Sequence, residues 1–149
     1  MDNIKFYHTT PIQLRFNDFD ALGHVNNSVY FSFYDLGKTT YFNEVIPDIS
    51  DSKEVGVVIA NIQVSFLVSV YPGENVAVET AVVEIGNKSF KLLQRLIDLE
   101  TKEVKCVCQT VMVCFDAKTK NSRTISEEWR TAMADFEENP ELLKVHNHR

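Results

Sequence analysis

Apolar and polar side chains alternate with a period of two near the start of the chain, where Pro11, Ile12, Leu14 and Phe16 alternate with Gln13, Arg15 and Asn17. This pattern predicts a strand with one face buried. The period then changes. Tyr30, Phe33, Gly37, Tyr41 and Val45 recur at spacings near 3.6 and predict a long helix, with Val29, Leu36 and Thr40 broadening its apolar stripe. The polar, turn-rich residues 47–54, PDISDSKE, end that helix or follow shortly after it. Beyond them VGVVIANIQVSFLVSV places Ala60, Ile62, Val64, Phe66, Val68 and Val70 on one face of a second strand.

A YPGE turn at residues 71–74 leads to a third strand, NVAVETAVVEI. The next run, KSFKLLQRLIDLE, is ambiguous: Phe90, Leu92 and Leu96 alternate with Lys91 and Arg95, but Leu92, Leu93, Leu96 and Leu99 also fit a helical spacing. The short Gly86–Asn87 turn before it favours a strand in a hairpin. A turn at residues 101–103 precedes the alternating VKCVCQTVMVCF, and a basic turn at residues 118–123 precedes a short amphipathic helix over 124–138. That helix has Ser126 as its cap, Glu127 and Glu128 in its first turn, and a Trp129, Met133 and Phe136 stripe. One strand, one long helix and then four longer antiparallel strands predict an α+β fold in which the helix covers one sheet face. The other face keeps apolar positions that call for a second subunit or a ligand.

Composition narrows the function classes. The 149 residues suit one domain, 1–149, large enough for a substantial core. A net charge of −6 argues against a general nucleic-acid binder, whose affinity depends on neutralising phosphates. Cys106 and Cys108 neighbour each other on one strand face, about 6.6 Å apart, which is poor disulfide geometry. Free buried thiols are therefore expected for them and for Cys114, as in a reducing compartment. MDNIKFYHTT lacks the basic and apolar segments of a signal peptide, and no apolar run is long enough to span a bilayer, so a cytoplasmic protein without membrane insertion is expected. His146 and His148 in the terminal HNHR are too isolated to predict a functional zinc site.

The candidate chemistry gathers in residues 15–27, RFNDFDALGHVNN, between the first strand and the long helix. Asp18 and Asp20 continue the face of Leu14 and Phe16, turning it from apolar to acidic, and Gly23 permits a positive φ or a close backbone approach. Asn26 or Asn27 suits the helix N-cap, so the helix directs its orphan amides and positive dipole end toward the Asp18 and Asp20 corner. A small, apolar-walled anion site is the expected result. His24 is either a structural hydrogen-bonding group or one that orients water or Asp20.

Residues 15–27, the aromatic-rich helix beginning NSVYFSFYD, the YPG turn and GNKSF together resemble the hotdog-fold thioesterases, specifically the 4-hydroxybenzoyl-CoA thioesterase-like family that includes bacterial long-chain acyl-CoA thioesterases. The GHVNN form also resembles the N-terminal hotdog repeat of plant acyl-ACP thioesterases. The resemblance implies a sheet wrapped round the long helix, a dimer with a continuous sheet, and active sites at the dimer interface; the apolar positions on both faces of several strands separately call for a homodimer or a dimer of dimers. The resemblance also places the catalytic carboxylate at Asp20 and the oxyanion amide at Asn27, with His24 and Asn26 matching the GHVNN subgroup. Asp18 matches a commonly acidic position without that chemical role. Asp35 and Lys38 depart from the Glu and Arg of many relatives while keeping the charge signs.

Thioester hydrolysis needs a nucleophile near the carbonyl and donors for the tetrahedral oxyanion. Asp20 can attack directly to give an acyl anhydride, orient water, or act as a base; the sequence leaves these open. Lys88, Ser89, Lys91 and Arg95 are candidates for binding CoA phosphates across the interface, against the alternative of a solvated face. The expectation is therefore hydrolysis of medium- or long-chain acyl-CoA. An acyl-ACP thioesterase or a noncatalytic acyl-binding hotdog protein are the alternatives. No metal and no resident cofactor are assigned, CoA being part of the substrate.

Overall fold

The computed structural model describes residues 4–46 and 54–144. Most of the 47–54 connection, and His146 and His148, lie outside the described residues. The elements run β1 (His8–Ile12), α1 (Tyr30–Val45), β2 (Val55–Phe66), β3 (Val76–Ile85), β4 (Ser89–Asp98), β5 (Val104–Asp116) and α2 (Glu127–Phe136). Among the described residues the strands form one five-stranded antiparallel sheet in the order β1-β3-β4-β5-β2, wrapped around α1. This is the α+β hotdog fold.

The predicted helical stripe is the buried one: Tyr30, Phe33, Gly37, Tyr41 and Val45 all face the sheet, while Leu36, expected to widen it, is exposed. The sheet meets α1 with Val78, Leu96, Cys106 and Cys108 around Tyr30, Phe33 and Tyr34. At the other end Val82, Phe90, Leu92 and Met112 pack around Tyr41, Val45, Trp129 and Met133. Gly37 allows α1 to approach the sheet closely. A Cβ there would lie 2.7 Å from Val78 Cγ1 and 2.9 Å from Gln94 Nε2.

Residues 89–98 are a strand, as the hairpin signal favoured. Gly86 N–H donates to Ser89 O at 2.7 Å, and the Arg130 guanidinium of α2 donates to the Gly86 and Asn87 carbonyls, holding the turn from outside. Two expectations need correction. The first strand spans His8–Ile12 rather than continuing to Phe16, because residues 16–18 curl into a 3-10 turn in which Asp18 Oδ2 accepts the Arg15 N–H at 2.7 Å. The second strand ends at Phe66, so Val68 and Val70 lie beyond it, and the face drawn from Ala60 begins at a bulge between Ile59 and Asn61. Val55 and Val57 before it and Ile62 and Val64 after it pack against the core, although their sequence parities differ.

The bulged β2 is also a sheet edge with exposed Val58, Ile59 and Phe66. All three cysteines are free and buried. No described helix is long and apolar enough to cross a membrane.

Candidate active site

The corner between β1 and α1 is built largely by its own backbone. Asp18 supports it: besides accepting from Arg15, its carbonyl accepts the Asn26 N–H at 2.9 Å. Phe19 and Val25 form an isolated antiparallel bridge, and inside it Asp20 N–H donates to His24 O at 3.0 Å. Gly23 turns the chain with φ of +87°, the conformation its position called for. Asp20 Oδ1 accepts the Leu22 N–H at 2.9 Å, an Asx turn that fixes the carboxylate. Among the described residues, Oδ2 has no protein donor.

Asn26, not Asn27, is a side-chain cap, and what it caps is the 3-10 turn Asn27–Val29 leading into α1, whose own N-cap, Val29, makes no side-chain cap bond. Asn26 Oδ1 accepts from Ser28 N–H and Ser28 Oγ–H, each at 3.0 Å. The backbone amides around it are nearly all used: Asn26 donates to Asp18 O, Ser28 to the Asn26 side chain, Val29 to Asn26 O, and Tyr30 to Asn27 O. Among the described residues the Asn27 N–H has no acceptor, and Asn27 is exposed. The 3-10 turn that leads into α1 thus keeps one backbone donor available near the positive end of the helix dipole.

Asp20 borders an open cleft of about 700 Å3, walled by Leu14, Phe16, Phe19 and Pro72, with Glu74 also on its lining. Asp18 instead lines a separate hollow with Ser32, Phe33 and Leu36. The aspartates separated by one residue therefore serve different surfaces. His24 Nδ1 lies 3.4 Å from the Val25 carbonyl, and its ring meets Tyr71 edge-on with centroids 6.3 Å apart. Tyr30 packs against Phe66 with centroids 5.1 Å apart, so it belongs to the core behind the corner. Asp35 and Lys38 form an ion pair at 3.5 Å, with the lysine buried and the aspartate exposed.

The expected CoA contacts lie elsewhere in the chain. Lys88 is exposed at the β3–β4 turn and Ser89 is buried beside it, at the far end of β3 from the cleft; a strand of that length spans about 30 Å. Lys91 pairs with Glu84 at 3.2 Å, and Arg95 pairs with Glu79 at 2.6 Å beneath the Phe6 ring. Within one chain the structure does not bring these residues to Asp20. Sequence reasoning missed Lys105, a buried lysine on β5 bound to Glu74 and Glu103. Its position in an alternating strand resembled an ordinary solvated one.

The sequence profile of the thioesterase-like superfamily matches residues 14–137. The chain belongs to this superfamily. The thioesterase-like chain is similar to the PA5185 protein of Pseudomonas aeruginosa, at 25% identity and a TM-score of 0.80 over 88% of this chain and 92% of the other. It is also similar to a thioesterase from Thermus thermophilus whose crystal structure holds coenzyme A and zinc, at 26% identity and a TM-score of 0.80 over 91% and 97% of the respective chains. YsmA of Bacillus subtilis is 27% identical over 88 residues, which span 59% of each protein. The superfamily's match begins inside the corner and runs through α2, so the site and its supporting sheet both fall within it.

Proposed function

We propose that this protein hydrolyses acyl-CoA thioesters to the free acid and CoA, with Asp20 as the catalytic carboxylate and the Asn27 amide as oxyanion donor. The observation that carries this reading is the Asn27 N–H, without an acceptor among the described residues, in the 3-10 turn leading into α1 and in the same corner as an Asx-fixed Asp20 on an apolar-walled cleft. A pre-oriented amide stabilises the tetrahedral oxyanion without reorganising, and losing one such donor costs on the order of 3 kcal/mol in other enzymes. Asp20 Oδ2 is the carboxylate oxygen left to act on the carbonyl carbon or on a water. His24, held beside Tyr71 and the Val25 carbonyl, orients that part of the corner. The superfamily membership and the coenzyme A bound by the Thermus relative support CoA as the carrier.

The active assembly in this reading is a homodimer formed through the β2 edge, where Val58, Ile59 and Phe66 are exposed on a strand whose one neighbour in the sheet, among the described residues, is β5. Pairing there would continue the sheet and bury the apolar surface. Lys88 is the member of the cationic set best placed to meet a phosphate from the partner's substrate. Ser89 is buried, and Lys91 and Arg95 would contribute by exchanging their Glu84 and Glu79 partners.

The cleft walls favour aliphatic acyl groups of medium or long chain. Each buried methylene contributes up to about 0.8 kcal/mol while room remains. An acyl-CoA panel from C6 to C18, read by release of free thiol, should show kcat/KM rising with length and then levelling or falling. Efficient turnover of aromatic acyl-CoAs with negligible turnover across that aliphatic range would overturn the preference and leave the Asp20 assignment standing.

A further inference from the structure

The wall of the Asp20 cleft opposite the β1 end is the loop joining β2 to β3, and Lys105 of β5 holds it at both ends. Its carbonyl accepts the N–H groups of both Leu67 and Val68 at 2.9 Å, where the loop begins. Its ammonium donates to Glu74 Oε2 at 2.8 Å, where the loop ends, and lies 3.4 Å from Ser69 O. Glu103 Oε1 is a further acceptor at 3.0 Å. Glu74 spends its other oxygen inside the loop, accepting the Tyr71 N–H at 2.6 Å. The loop in turn grips the catalytic corner: Val70 O accepts the Val25 N–H at 2.9 Å, and Tyr71 abuts His24. Val25 is the bridge partner of Phe19, next to Asp20, and lies two positions before Asn27.

Lys105 is only 3% exposed. A buried charge on this scale is poorly explained by stability, since a hydrophobic side chain of similar volume would commonly serve as well. What it supplies is direction: a fixed set of donors that aligns Ser69 and Glu74. Burial works to lower its pKa, but the hydrogen bonds and charges of Glu74 and Glu103 outweigh this and hold it above the usual lysine value.

We propose that Lys105, through Glu74 and the 67–74 loop, is a positioning residue for the thioesterase site, setting the placement of His24, Val25 and the Asn27 amide relative to Asp20. This inference rests on the function proposed above. A displacement of the corner by a fraction of an ångström to about 1 Å is enough to cost up to 100-fold in rate. The experiment compares wild type with K105M, K105R, E74Q and the K105M/E74Q double variant, using steady-state kinetics per folded protein and amide hydrogen exchange.

K105M should lower kcat at least about 10-fold with a much smaller change in KM, K105R should restore most of the loss, and the double variant should be little worse than either single one because the two side chains act as one unit. The Val25 amide should exchange faster in K105M than in wild type. Should K105M not fold, E74Q alone carries the same kinetic and exchange expectations. Wild-type kcat together with an unchanged Val25 amide would overturn the proposal, as would a fall in melting temperature with kcat per folded protein intact. Absence of thioester turnover in wild type would instead overturn the proposed function, and the exchange measurement would still decide whether Lys105 holds the corner.

Discussion

Gly37→Ala sets two physical effects against each other. Inside a helix, Gly to Ala gains about 1 kcal/mol of propensity. Here the new methyl would lie 2.7 Å from Val78 Cγ1, 2.9 Å from Gln94 Nε2 and 3.2 Å from Thr80 Oγ1, all in the layer between α1 and the sheet. Overpacking of that kind costs about 1–3 kcal/mol. Gln94 has little freedom to yield: it is fully buried, and its Nε2 donates to Tyr34 O at 3.0 Å and Thr80 Oγ1 at 3.1 Å. Weakening these bonds adds about 1 kcal/mol. The net is a destabilisation of about 1–3 kcal/mol, which for a domain of this size lowers Tm by about 5 °C. Thermal unfolding followed by circular dichroism measures it, and kcat should fall as well because the 3-10 turn that carries the Asn27 amide leads directly into the same helix. A Tm equal to or above wild type would show that propensity wins and that the helix is not held this closely.

Acidification should cost stability through His8, which is buried against Tyr41 and Phe136. Burial lowers its pKa from 6.5, outweighing the opposing effects of Glu44 and the Thr40 backbone, so the unfolded chain takes up a proton that the folded one resists. That contribution is present above pH 6.5 and is lost as pH falls below it, and His8→Gln should show a smaller Tm difference between pH 7.5 and 5.5 than wild type. Burial pushes the Cys106 and Cys114 thiols up to about 11 and raises that of Cys108. Thiol-specific labelling at pH 7.5 should accordingly be slow in the folded protein and fast in denaturant, and rapid labelling of the native state would contradict the burial. For assembly, light scattering at low micromolar concentration should give at least twice 17.1 kDa, and Val58→Lys on the exposed β2 edge should reduce it. A fully active folded monomer would refute the shared-site dimer.

Much of this architecture is legible from periodicity because each apolar pattern has one surface to bury. The 3.6-residue stripe from Tyr30 to Val45 identifies the sheet-facing side of α1 because the helix covers the sheet with that side alone. Periodicity misleads where the backbone finds a local partner. The alternation through Leu14 and Phe16 predicts a strand, but the Asp18 carboxylate captures the Arg15 amide and leaves Phe16 93% exposed. At Ala60 the bulge shifts the register, which no apolar count reveals. Asp20, Gly23 and the helix cap are visible as local chemistry. By contrast, the Lys105–Glu74 pair joins residues 31 positions apart. Likewise, Glu137 accepts from Tyr41 Oη–H at 2.5 Å and Val82 N–H at 2.9 Å beside the β3 bulge, contacts that only tertiary folding creates.

The central claim is that Asp20 performs the chemistry while Asp18 builds the corner. Purified Asp20→Asn and Asp18→Asn, each shown by circular dichroism to fold as wild type, should be compared in acyl-CoA hydrolysis by free-thiol release. Asp20→Asn should lower kcat at least about 100-fold, the lower end of the range for losing a general acid–base group, and Asp18→Asn should do much less because its amide oxygen can still accept from Arg15 N–H. Comparable kcat for Asp20→Asn and wild type, with contaminating thioesterase excluded, would contradict the account.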